Sequence, residues 1–284
     1  MNKTISRCVL MCLVLVSALA GNAFAQADPD RAITHIAGDL YRFQNQFHFS
    51  VFLVTSDGII ATDPINADAA MWLKSELSRR FPGQPVKYLV YSHSHADHIS
   101  GGEVFADTAT VVAHERAKAR IVSDGVATAI PQITFSERQT ISLGGKSVEL
   151  LYFGPSHSDN LIVMHFPQER ALFVVDIVAP KRLPYRTLHD ADLDGWIDTL
   201  RQVETLEFDI LAPGHGVMGT PVDIAEHRGY LEALRDGVQA GIDSGKSLDE
   251  IKRSVTLDEY RDWGSYDSWR GMNIEGMYAF LTSK

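Results

Sequence analysis

The sequence predicts an α/β sandwich built in layers. Three observations predict it. Apolar, β-rich runs alternate with stretches of helical spacing, and this alternation occurs twice along the chain. In each half an apolar strand then delivers histidine, "VKYLVYSHSHADH" in the first and "FDILAPGHG" in the second. Elements that are apolar on one face must bury it against a neighbour, and sheets clad by helices are the layered solution to such a pattern.

The elements follow in order. Residues 1–25 read as a cleaved export leader. Lys3 and Arg7 precede an apolar run from Cys8 to Leu19, and Ala23-Phe24-Ala25 gives the small-x-small cleavage pattern. The run is shorter than the roughly 20 residues a bilayer span needs and leads into the polar "QADPDR". Residues 26–37 read as an extended N-terminal lead. "FSVFLVTSDGIIATDP" presents two apolar runs around Asp57-Gly58, a hairpin signal. "DAAMWLKSELSRRF" has apolar residues at helical spacing and stops at Pro82-Gly83. "VKYLVYS" is a short strand, and "TVVAHERAKARI" a strand passing into a helix. In the second half, "SVELLYFGPSHSDNLIVMHFPQERALFVVDIV" holds three strand-like runs separated by turn residues, followed by the helical "DGWIDTLRQVETL". Residues 221–284 read as mostly helical. No Pro/Gly-rich linker intervenes, so residues 38–284 are expected to form a single domain.

Composition narrows the function. The chain has 284 residues with 26 basic and 36 acidic side chains, a formal net charge of −10. Loss of the leader removes Lys3 and Arg7 but no acidic residue, which takes the charge to −12. Such a surface repels nucleic acid and anionic membranes. Both cysteines, Cys8 and Cys12, lie in the leader, so the processed chain is expected to have neither disulfide nor thiolate ligand. The expectation is a periplasmic or secreted protein acting on a small-molecule substrate, with no nucleic-acid partner and no membrane association after cleavage.

The chemistry concentrates at His93, His95, Asp97 and His98. Imidazole nitrogen and carboxylate oxygen are the donors a borderline cation such as Zn2+ accepts when thiolate is absent. In an extended loop, residues two apart point to the same side, so His93 and His95 can grip one ion while Asp97 and His98 turn toward another. One loop cannot surround two ions. Further donors follow three apolar strands: His157 in "LLYFGPSH", Asp176 in "ALFVVD" and His215 in "DILAPGH". A Zn2+ lowers the pKa of bound water from about 15.7 to about 7, which supplies a hydroxide for attack on a carbonyl. Asp97 is then a ligand, a proton shuttle, or both. "PKRLPYR" sets Lys181, Arg182 and Arg186 after Asp176 as candidates for a substrate carboxylate, with Tyr185 as a hydroxyl donor and His48 as a pocket-wall residue. His35, His114, His165, His189 and His227 read as structural, and Trp263 and Trp269 as packing onto the core.

The motifs "HSHADH", "GPSHSDN", "FVVDIV" and "PGHG", in this order, resemble the metallo-β-lactamase superfamily over nearly all the chain beyond the leader. The resemblance implies a four-layer αββα sandwich holding two Zn2+, with iron as the alternative metal. It implies His93, His95 and His157 on the first ion, Asp97, His98 and His215 on the second, Asp176 bridging them, and Asp63 orienting a ligand histidine from behind. A carboxylate at 176 looks like the glyoxalase II and lactonase-like branches, since lactamase subclasses put Cys or Ser at or near that place. The run His157-Ser158-Asp159-Asn160 is one residue shorter than the His-Thr-x-Asp-Asn of many lactamases, which leaves open whether Asn160 contacts substrate. The expected activity is that of an exported dinuclear zinc hydrolase cleaving a lactone, ester, thioester or β-lactam. Alternatives are a β-lactamase proper, an iron-dependent oxidoreductase on the same fold, and a non-catalytic periplasmic zinc-binding accessory protein. His95, where di-iron flavoproteins typically carry glutamate, speaks against the oxidoreductase.

Overall fold

Apolar runs in which every residue is buried require cover on both sides, and the strands here receive it. The computed structural model describes residues 30–283. The expected leader and residues 26–29 of the expected lead lie outside the described residues. The first sheet runs in sequence order: β1 (Arg31–Ala37), β2 (Leu40–Asn45), β3 (His48–Thr55), β4 (Gly58–Thr62), β5 (Val86–Val90), β6 (Thr110–His114) and β7 (Ile133–Phe135). It is antiparallel from β1 to β4 and parallel from β4 to β7. The second sheet comprises β8 (Arg138–Leu143), β9 (Lys146–Leu151), β10 (Val163–Phe166), β11 (Ala171–Val174) and β12 (Ile210–Pro213), in the order β12-β11-β10-β9-β8. Only its β11–β12 pair is parallel.

Parallel neighbours need crossovers, which place helices on the outer faces. α1 (Ala67–Arg80) links β4 to β5, the single turn α2 (Ala96–Ile99) follows β5, and α3 (Glu115–Asp124) links β6 to β7. α4 (Leu193–Val203) links β11 to β12, and α5 (Pro221–Asp243), α6 (Leu248–Ser254) and α7 (Tyr266–Thr282) complete the chain. Asn66 caps α1 by accepting from the Ala69 amide, and a Thr220/Asp223 capping box with Pro221 in the first turn starts α5.

The period of two along each strand distributes side chains between cores. Leu53, Ile60, Val90 and Val112 point between the sheets, against Leu150, Met164 and Phe173. Their neighbours Phe52, Ala61, Leu89 and Val111 point outward, onto Leu73 and Leu77 of α1 and Ala117 and Ile121 of α3. On the far side, Val163, Leu172 and Val174 pack under Trp196 and Leu200 of α4, Leu231 and Leu234 of α5, and Ile274 and Met277 of α7. Helix, sheet, sheet, helix: this is the αββα sandwich expected above. Residues 31–37 of the expected lead are extended, and they join the first sheet as edge strand β1, with Arg31 opposite Asn45. Among the described residues no helix is long and apolar enough to cross a membrane.

Candidate metal centre

The C-terminal ends of β5, β11 and β12 open toward one edge of the sandwich, and the loops that follow them meet there. The first loop is held from beneath. The Ser92 amide donates to Asp63 Oδ1 at 2.8 Å, and Ser92 Oγ lies 2.9 Å from His93 Nδ1. The Ser94 amide donates to Asn160 Oδ1 at 2.9 Å. The turn of α2 then swings His98 inward, and Gly101 closes it with a left-handed φ of 84°. A Cβ at Gly101 would lie 2.4 Å from the Ala67 amide, so only glycine fits where this loop passes the start of α1.

These supports present the donors as two sets, His93, His95, His157 and Asp176, and His48, Asp97, His98 and His215. Within each set the donor atoms lie within 4.8 Å of one another. His157 Nε2 is 3.2 Å from His95 Nδ1, and His215 Nε2 is 3.2 Å from His98 Nε2. Asp176 stands between the sets. Its Oδ2 lies 3.4 Å from His93 Nε2, 3.4 Å from His157 Nε2 and 3.2 Å from His98 Nε2, while its Oδ1 lies 3.2 Å from His215 Nε2. Asp176 adopts a left-handed φ of 59°, an uncommon conformation for a non-glycine residue.

Electrostatics favour cation binding. Burial pushes His93 down to about 3 and His157 to about 4, and lowers His95 as well, so these imidazoles are neutral, lone-pair donors at physiological pH. Burial also opposes charge on His98, but the carboxylates of Asp176, Asp63 and Asp97 outweigh it and raise this group to about 9. A proton and a metal ion on His98 are thus competing ways to compensate the same negative charge. The converse holds Asp176 well below the usual carboxylate range: burial is opposed by His98, His215 and His93. His93 Nε2 is buried with no hydrogen-bond partner, although it faces the other donors. An all-nitrogen-and-oxygen set of this kind fits a borderline divalent cation. The outer nitrogens are engaged too, with Ser92 behind His93 and the Phe47 carbonyl 2.9 Å from His215 Nδ1.

The family model for the metallo-beta-lactamase superfamily matches residues 51–215, which include the donors from His93 to His215. The chain belongs to the metallo-beta-lactamase superfamily. It is 30% identical to the 2,4-dinitroanisole O-demethylase subunit alpha of Nocardioides sp. (strain JS1661) over 66% of this chain, and spans 58% of that relative's length. It is 28% identical to the metallo-beta-lactamase type 2 of Elizabethkingia meningoseptica over 68% of this chain and 81% of the relative. A metallo-beta-lactamase from Pontibacter korlensis shares the fold, with a TM-score of 0.64 at 22% identity over 72% of this chain and 99% of the other. Superfamily membership and the His/Asp cluster together imply a metal ion.

In this superfamily member a cavity of about 500 Å3 opens beside the donors. His48, His95, Asp97, His157, Asp176 and His215 form its polar side. His48 is closer to the chemistry than a pocket-wall residue: its Nε2 lies 3.3 Å from Asp97 Oδ2, within the second donor set. Asp63 is fully buried behind the cluster, with Oδ2 4.0 Å from His98 Nδ1, and burial raises it to about 6. The basic loop divides. Arg182 lines the cavity, its guanidinium 4.7 Å from the Trp269 ring centroid. Lys181 does not line it and pairs with Glu226 on α5. Arg186 does not line it either and lies over the Tyr185 ring, 4.9 Å from its centroid. Tyr185 borders the cavity with its ring edge-to-face to Trp269.

The candidate substrate contact at Asn160 is not placed in the cavity wall. This side chain turns under the metal loop, where it is buried and bonds the Ser94 amide and hydroxyl. Among the cavity residues that sequence reasoning did not assign to the pocket are Phe47 and Trp196, together with His189 and His227, which it read as structural, and Trp269, which it read as core packing. Phe47 had a readable signal, an aromatic beside His48 in a hairpin turn. Trp196 and His227 sit at buried helical positions and gave none.

Proposed function

We propose that the protein is an exported dinuclear zinc hydrolase that cleaves an acyl bond in the periplasm or outside the cell. The observation that supports it most is Asp176, whose carboxylate oxygens reach nitrogens of both donor sets at 3.2 to 3.4 Å. His93, His95 and His157 would hold one cation, Asp97, His98 and His215 the other, and Asp176 both. Bound divalent cations supply the Lewis acidity that ionises water near neutral pH and polarises an acyl carbonyl.

The chain's own groups do the rest. Burial opposes ionisation of Asp97, but the His48 and His98 imidazoles outweigh it and hold this carboxyl below its usual range. Its side chain is 58% exposed and borders the cavity, so the carboxylate is available to accept a proton from the attacking water and carry it to the leaving atom. His48 fixes the direction of that carboxylate. The wall formed by Val178, Leu183, Leu188 and Trp196 excludes water from the substrate's non-reacting part and orients it.

Metal analysis after purification without chelator should find two zinc ions per chain, and stoichiometric iron with little zinc would overturn the reading. A panel of a lactone, a thioester and a cephalosporin should give a high kcat/KM for one class, and no turnover of any by the fully zinc-loaded protein would overturn acyl hydrolysis. Asp97→Asn, assayed with zinc in excess so that both sites are filled, should lower kcat by about 10^2-fold or more. A second reading, cleavage of an aryl ether, is favoured by the aromatic cavity wall of Trp196, Trp269 and Tyr185 and by the Nocardioides relative. Adding 2,4-dinitroanisole to the panel separates the two.

A further inference from the structure

Helix α5 buries a histidine that the proposed hydrolysis does not use. His227 is 1% exposed, and neither Nδ1 nor Nε2 has a hydrogen-bond partner. Its surroundings are rings: Trp196 lies 6.3 Å away between centroids and Trp263 6.2 Å away in a stacked arrangement. The other buried histidines away from the metal cluster are bonded, His114 to the Ser136 carbonyl and His165 to Glu149 and the Glu207 carbonyl. A phenylalanine or leucine would fill the same space without stripping water from two polar nitrogens, so packing does not account for the imidazole.

His227 borders the cavity that opens onto the metal donors. Trp196 connects the two ends, because its ring also meets that of His157, at 5.6 Å. His227 therefore marks the inner end of a recess one indole deeper than the metal cluster. The apolar part of the wall is formed by Val178, Leu183, Leu188, Trp196 and Trp269, and Arg182 and Asp190 line the same cavity. The whole cavity, metal side included, is about 500 Å3, against the roughly 150 Å3 in which a benzene ring can be held.

We propose that this recess is a recognition site for an uncharged aryl group carrying one hydroxyl or carbonyl, which hydrogen-bonds to His227 while the rest of the ligand extends toward His95 and His157. That the extended part carries the bond to be cleaved rests on the hydrolase reading; the recognition itself does not. A neutral imidazole offers one donor and one acceptor and so suits a hydroxyl or carbonyl. Burial holds His227 neutral, at about 3, so the imidazole itself supplies no counter-charge to an ionised group, and the cationic lining residue, Arg182, sits on the Trp269 ring instead of beside His227. Edge-to-face and offset contacts with Trp196 and Trp269 favour an aromatic ring over an alkyl chain. Sites built to hydrogen-bond a polar group discriminate strongly against the analogue that lacks it.

The test uses phenol, toluene and benzoate as probes on the metal-loaded protein, read by quenching of tryptophan fluorescence. Wild type should bind phenol, and more tightly than benzoate. His227→Phe should weaken phenol by about tenfold or more and leave toluene within about twofold, whereas His227→Gln, which keeps a donor and an acceptor, should stay near wild type for phenol. On the unmodified protein, the His227 ring 15N resonances should shift with phenol and not with toluene, a readout independent of whether a variant folds. Failure to bind phenol, tighter binding of benzoate, unchanged phenol affinity in His227→Phe, or unshifted 15N resonances would each overturn the proposal. If the probes behave as expected but no acyl substrate is turned over, the hydrolase reading falls and the recognition site stands.

Discussion

A carboxylate with no exposed surface sits behind His98, and its position says what it does. Asp63 accepts from the Ser92 amide through Oδ1 and turns Oδ2 toward His98 Nδ1. It therefore sets both the path of the metal loop and the direction of one donor. Asp63→Asn preserves volume and one acceptor but removes the charge facing His98, so affinity at the second donor set should fall by about 10- to 100-fold. Competition against a coloured chelator measures this, and unchanged affinity would reduce Asp63 to a loop fastener. His227 carries a second prediction at this scale. Burial lowers its pKa from the ordinary 6.5 to about 3, so between those values the unfolded chain binds a proton that the folded chain does not. Stability must then fall as pH drops from about 6.5 toward 3, by up to about 1.4 kcal/mol per unit from this group. In urea unfolding, His227→Phe should show a shallower acid loss than wild type. The ligand-type residues were legible because donor chemistry is carried by residue type. Asn160 was not, since residue type alone does not say whether an amide near the donors faces the cavity or bonds the loop beneath it.

At the scale of elements, the segment between β11 and α4 makes one wall of the cavity and depends on α7. Lys181, Arg186, Leu188 and Asp190 all adopt left-handed φ, conformations that persist in non-glycine residues when surrounding structure over-determines them. The over-determining contacts are visible. Asn273 on α7 is fully buried, donates Nδ2 to the Pro184 and Arg186 carbonyls at 3.0 and 2.6 Å, and accepts from the Tyr230 hydroxyl at 2.6 Å. Gly276, one turn on, allows the approach of Thr187, since a Cβ there would stand 1.8 Å from the Thr187 carbonyl oxygen. Asn273→Ala should leave those carbonyls without their donor, cost about 1–3 kcal/mol of stability, and raise KM several-fold with metal content unchanged. Limited proteolysis should cut within residues 177–192 in the variant and spare wild type. A variant with wild-type KM and protease resistance would show that the loop holds its shape without α7. The helical periodicity of this C-terminal part was readable, but its partner was not, because spacing along a helix states which face is buried and not which loop it fastens.

For the whole molecule, the donors come from loops on both halves of the sandwich, so cation binding couples the two sheets. A ligand that binds only the folded state at 100 times its dissociation constant adds about 2.7 kcal/mol, and a domain of this size shifts by about 2–4 °C per kcal/mol. Stripping the metal with EDTA should therefore lower Tm by about 5–10 °C, and re-addition of zinc should restore it. An unchanged Tm would mean that the cluster is preformed and does not hold the sheets together. The layered architecture and the convergence of His93, His95, Asp97, His98, His157, Asp176 and His215 could be anticipated from the linear chain. Strand and helix periods are local properties, and a histidine or aspartate just beyond an apolar strand announces both its chemistry and its end of the sheet. The recess between Trp196 and His227, the division of labour among Lys181, Arg182 and Arg186, and the clasp at Asn273 emerged only in three dimensions. Each depends on the meeting of segments tens of residues apart, and their relative placement is decided by packing across layers, which no local pattern encodes.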